Sequence, residues 1–153
     1  MEDAIDAPSA TTSIEKLFKT LLKNKLIMEN TKEATLNVKI KNFFFRYIEF
    51  LKPFHKLQKQ HYTVVALLLY YHYQFSKEIT NNKILWKTVF DYDTKILITD
   101  ELGITTQGLE NIYTSLRKNK VIIDNEISSV YIPQMNKKNK TFTININFKI
   151  IDG

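Results

Sequence analysis

Between Lys95 and Val121, apolar positions recur three and four residues apart on both sides of one glycine. Ile98 and Leu102 precede Gly103, and Leu109, Ile112, Tyr113 and Leu116 follow it, so each segment carries one inward-facing stripe. Gly103 is placed to close the first helix in the left-handed conformation, which costs little without a Cβ. Thr105 or Thr106 supplies a hydroxyl that can accept a free backbone N–H at the start of the second. Ile104 sits between them as a wedge. The spacing predicts a short helix, a glycine turn and a longer helix with polar outer positions, which is the helix-turn-helix arrangement.

The same periodicities organise the rest of the chain. From Ser13, Ile14, Leu17, Phe18, Leu21 and Leu22 form a helical stripe with Lys16, Lys19 and Lys23 turned away. Thr35–Lys41 alternates strictly and reads as a half-buried strand. Asn42–Phe54 is dense in aromatics and, as a helix ending at Pro53, has apolar groups on more than one face. Either it is sandwiched within its domain, or Phe43, Phe44, Tyr47 and Phe50 form a subunit interface, where large aromatics dominate the energetics. Tyr62–Phe75 is apolar nearly all round and is expected to be a central helix covered by its neighbours. Asn81–Phe90 reads as a short amphipathic helix with Ile84, Leu85, Val89 and Trp86 inward. Asp91 and Asp93 suit the N-cap of the next helix better than a metal site. Ser128–Pro133 and Thr141–Ile150 read as strands joined by the polar, basic stretch Gln134–Lys140.

This pattern resembles the winged helix-turn-helix family over roughly Tyr62–Ile150. Apolar residues stand five and one before the turn glycine (Ile98, Leu102) and one, six and nine after it (Ile104, Leu109, Ile112). Thr99 takes the place of the usual small residue four before. Val121-Ile122-Ile123 leaves the second helix directly, as a first wing strand would, and no catalytic signature accompanies the motif. The resemblance implies an α+β, mainly helical winged helix-turn-helix domain with a C-terminal β-hairpin wing and an N-terminal helix/strand extension. The organisation expected is a flexible acidic tail over 1–12, the helix, strand and aromatic-helix extension over 13–56, and the winged-helix domain over 57–153.

Charge adds a partner. The net charge of +6 suits an anion, although residues 14–75 hold eleven basic against four acidic residues, so most of the surplus precedes the reading helix. Lysine far outnumbers arginine, and Asn, Ile and Tyr are frequent, which matches AT-rich codon usage in a low-GC bacterium or its phage. If the second helix buries its stripe, it presents Thr106, Gln107, Glu110, Asn111, Thr114, Arg117 and Lys118. Gln or Asn can bridge adenine N6 and N7 in the major groove, and Thr can touch a thymine methyl. Arg117, Lys118 and Lys120 would meet phosphates, and Lys137, Lys138 and Lys140 at the wing tip would add a second backbone contact. Glu110 in the middle of that face and Gly108 within the helix weaken the arrangement.

The chain has no cysteine, which excludes disulfides, thiolate metal sites and cysteine nucleophiles. His55, His61 and His72 lack metal-ligand spacing. No nucleophile–base pair, carboxylate pair or phosphate loop stands out, so no enzyme, cofactor, metal or small-molecule substrate is expected. The acidic start, Met1-Glu2-Asp3, does not read as a signal peptide, and the longest apolar run is too short to cross a bilayer, so no membrane is expected. The leading expectation is a cytoplasmic winged-helix regulator of transcription or replication that binds double-stranded DNA. The rival is a phage virion or head-tail assembly protein that uses the same core for contacts with its own copies or with other subunits.

Overall fold

The structure, a computed structural model, describes Lys16, Lys19, residues 32–136 and residues 138–153. The chain divides into two units, Met1–Asn37 and Val38–Gly153. In the first, Lys16 and Lys19 are helical and exposed, and residues 32–37 are irregular. The remainder of the helix expected from Ser13, and the acidic tail, lie outside the described residues.

The second unit is mainly helical. Among the described residues its order is α1 (Ile40–Phe50), α2 (Lys52–His55), α3 (Lys59–Phe75), α4 (Asn82–Val89), α5 (Tyr92–Leu102), α6 (Thr106–Lys118), β1 (Ile122–Ile123), β2 (Glu126–Ile127) and a 3-10 turn at Ser129–Tyr131. The centre is α3, where six consecutive residues, Val64–Leu69, are buried. No amphipathic helix buries a full turn and a half without interruption, so α3 must be covered on every side. α1 covers one side, and α4, α5, α6 and β2 cover the others. α1 runs antiparallel to α3: Phe44 meets Tyr70 and Tyr73, while Phe45, one residue on, meets Tyr62 near the other end of α3. Burial pushes the Tyr47 phenol up to about 12, so it stays neutral within this layer.

Local chemistry sets the helix ends. The side chain of Asp91 accepts from the Thr94 amide at 2.9 Å and caps α5, the role expected of it. Gly103 closes α5 in the left-handed region with φ 65°, and the Gly103 and Ile104 amides both donate to the Thr99 carbonyl. The α6 cap is Thr105, whose Oγ1 accepts from the Gly108 amide at 2.9 Å. α6 ends in a Schellman motif with an unusual occupant: Lys120 takes φ 62°, Val121 donates to Leu116 and Lys120 to Arg117. A two-residue turn with positive φ at Asp124 and Asn125 then closes the antiparallel pairs Ile122↔Ile127 and Ile123↔Glu126, the mirror-image turn that two-residue hairpins prefer.

Several expectations are corrected. Residues 32–39 form no strand; their alternation finds no neighbouring strand among the described residues, and the chain enters α1 at Ile40. Ile84 is 54% exposed, because α4 buries Leu85, Trp86 and Val89 instead. Ser128–Pro133 is a 3-10 turn, not a strand. Thr141–Ile150 forms no strand, and its one ladder contact among the described residues is the isolated bridge Asn136↔Thr141. The basic stretch 134–140 therefore does not join two wing strands. The hairpin that does form is two residues per strand and turns on Asp124-Asn125.

Two stability outcomes follow. Gly103→Ala and Thr105→Ala should each lower unfolding free energy by about 1 kcal/mol in urea titration, the first through a Cβ at positive φ and the second through a lost cap. The His72 ring stacks on Trp86 at 4.2 Å between centroids, and its Nε2 is buried with no partner among the described residues. Burial lowers its pKa below the usual 6.5. The unfolded chain then binds the extra proton, so the contribution is complete above 6.5 and is lost as pH falls through the folded value. Urea midpoints should fall with acidification in that window, and His72→Phe should flatten the fall.

Candidate nucleic-acid interface

The site begins with the angle between α5 and α6. Ile98 is fully buried, Leu102 and Ile104 are half-buried, and Leu109, Ile112, Tyr113 and Leu116 seat α6 on the core. At 100° per residue, this buried stripe leaves Gln107, Asn111, Thr114 and Lys118 on the opposite ridge, and all four are exposed. Thr106 and Arg117 are exposed on the flank beside Tyr113, and Lys120 is exposed just beyond the helix.

Contacts within the ridge leave its groups available. Gln107 Nε2 donates to Asn111 Oδ1 at 3.0 Å, which aligns the two amides and leaves the Gln107 carbonyl oxygen and the Asn111 amino group facing outward. The Thr114 hydroxyl donates back to the Glu110 carbonyl, which leaves its methyl and lone pairs outward. The Arg117 guanidinium lies 6.0 Å from the centre of the Tyr113 ring, whose phenol is driven upward mainly by burial. The Tyr113 hydroxyl is buried and has no partner among the described residues.

Glu110, the group expected to repel phosphate, is held by Lys95 Nζ at 2.6 Å. An ion pair with its carboxylate 38% exposed contributes at most about 1 kcal/mol. Its consequence here is electrostatic: the carboxylate is drawn toward α5 and its charge is compensated. Sequence inspection missed Lys95, because a partner fifteen residues away across a turn leaves no local signal. Gly108 also has a reason to be there. A Cβ at this position would stand 3.2 Å from the Thr105 hydroxyl oxygen that caps the helix.

The lysine-rich stretch forms a turn of its own. Lys138 and Lys140 are exposed on the turn closed by Asn136↔Thr141, and Lys137 lies outside the described residues. The segment that follows anchors on α1, where the Phe142 ring packs 5.6 Å from Phe43 and 5.3 Å from Tyr47. The chain leaving the turn is thus tied to α1. Of the aromatics expected at a subunit interface, Phe44 and Tyr47 are buried in the chain's own core and Phe43 is half-buried against Phe44 and Phe142. Phe50 remains 55% exposed.

The histidines serve the fold. His55 accepts from the Leu57 amide at Nδ1, so its Nε2 carries the proton donated to the Ile48 carbonyl at 2.8 Å. His61 pairs with Gln58. Among the described residues no three His, Asp or Glu side chains gather where a metal could sit, and no helix is long and apolar enough to cross a membrane. Comparison with family models, with curated proteins and with solved structures yields no match.

Proposed function

We propose that the chain is a double-stranded-DNA-binding protein of the winged-helix type, a regulator of transcription or replication, with α6 as the helix that enters the major groove. The observation that carries this reading is the outer ridge of α6. It offers two amides, a threonine and a lysine opposite a fully seated apolar stripe, and its one carboxylate is compensated by Lys95. Gln107 and Asn111 have the donor–acceptor pair that reads adenine, and Thr114 suits a neighbouring thymine methyl. Arg117, Lys118 and Lys120 follow along the C-terminal turn, where backbone phosphates would run.

Lys120 gives further support. A left-handed C′ position favours glycine, and a lysine there costs about 1 kcal/mol. Strain kept at a charged, exposed position is what a phosphate contact would explain. Asp124 and Glu126 in the short hairpin oppose phosphate, which confines the footprint to the ridge and the α6 C-terminus. The rival reading, an assembly protein built on the same core, draws on the exposure of Phe50 at the end of α1 and Phe54 in α2.

Selection of duplexes from a random pool should enrich a sequence with adenines at fixed positions. Gln107→Ala and Asn111→Ala should each relax preference at one position by about 1–3 kcal/mol, measured by fluorescence anisotropy. Equal affinity of the unaltered protein for selected and random duplexes would remove α6 as a reader. Lys120→Gly separates fold from function: it should raise stability by about 1 kcal/mol yet weaken binding and reduce the salt slope by about one.

A further inference from the structure

Glu110 is the one acidic residue of α6, and where its carboxylate points decides what the outer ridge presents. At 100° per residue it lies about 60° round the helix from Gln107 and about 40° from Thr114, a surface neighbour of both. A carboxylate three residues after a glutamine is within reach of its amide. Gln107 Nε2 nevertheless donates to Asn111 Oδ1, at 3.0 Å, while the Glu110 carboxylate is taken by Lys95 Nζ of α5 at 2.6 Å. This ion pair is more enclosed than its counterparts. The Lys95 side chain is 21% exposed, against 43% for Lys41 and 59% for Arg46 in their own pairs, so water and salt screen it less. Lys95 also has a carboxylate one helical turn back, at Asp91, but that group caps α5 through the Thr94 amide.

We propose that Lys95 is a positioning residue for base recognition and acts through Glu110: by holding the carboxylate against α5, it keeps the Gln107–Asn111 amide pair formed and directed at adenine. The inference rests on α6 as the reading helix and adds what sets its preference. Without the ammonium, the Glu110 carboxylate is a better acceptor for Gln107 Nε2 than the Asn111 side-chain oxygen, because a charged acceptor makes the stronger hydrogen bond. Taking that hydrogen breaks the amide pair. The group then facing the groove is a carboxylate, which accepts from cytosine N4 and is repelled by phosphate. Lys95 thus selects between two readings of one helix face without itself touching a base.

Lys95→Met keeps the apolar stem and removes the charge. In selection from a random duplex pool, it should exchange adenine for cytosine at the position read by Gln107. Its affinity for the duplex chosen by the unaltered chain should fall about tenfold, the scale of one base contact. Adding Glu110→Gln to Lys95→Met should restore the adenine, and Lys95→Arg should retain it. In the free protein, the Gln107 side-chain amide signals in a proton–nitrogen correlation spectrum should shift in Lys95→Met and return in the double variant, with circular dichroism unchanged throughout. Base preference or amide signals left unmoved by Lys95→Met would overturn the positioning role. So would an affinity loss that Glu110→Gln does not repair, since Lys95 would then be a direct phosphate contact. Equal affinity of the unaltered chain for selected and random duplexes, beside amide signals that respond as expected, would reject α6 as a reader and leave only the hold of Lys95 on Glu110.

Discussion

A helix with no polar side governs this molecule. The run Val64–Leu69 buries every residue it contains, so α3 is stable only when the chain wraps around it. At roughly 1.5–3 kcal/mol for each large apolar side chain removed from water, no surface contact competes with this requirement. α1, α4, α5, α6 and the small hairpin are successive covers for one rod. The aromatic density of α1 follows from its place among those covers. Phe44 and Ile48 are buried beneath it, and Tyr47 and Phe43 receive Phe142 from the far end of the chain.

That wrapping leaves α6 with one committed face and one free one. Leu109, Ile112, Tyr113 and Leu116 commit its apolar stripe to the core, so whatever the helix does beyond stability falls to the opposite ridge. The electrostatics there are adjusted across the turn. Lys95 on α5 compensates Glu110 on α6, so the α5–turn–α6 motif is both a geometric and a charge unit. Arg117 held over Tyr113 and Lys120 strained into the left-handed region extend the positive end of that unit.

The C-terminal segment works on a different principle. Once Phe142 is anchored, the alternating sequence pattern continues, and its last apolar residues, Phe148 and Ile150, are left exposed where the anchored stretch ends.

Much of the helical frame was legible in the amino-acid order because its determinants are local. Gly103 and Thr105 act on amides within five residues, Asp91 caps three residues ahead, and the stripe of α6 recurs within a single helix. Those signals survive without knowledge of the fold. Strand pairing does not, since a strand-like run at 35–41, 128–133 or 141–150 is only a request for a neighbour. At 35–41 no such neighbour exists among the described residues, and the chain turns helical at Ile40. Beyond 128 the hairpin has already closed at Asp124-Asn125, and Phe142 goes to α1. Lys95 against Glu110, and the burial of Phe44 and Tyr47, also needed the tertiary structure. Sequence states which side chains seek burial or an opposite charge, whereas only the folded chain decides which partner, fifteen or a hundred residues away, arrives first.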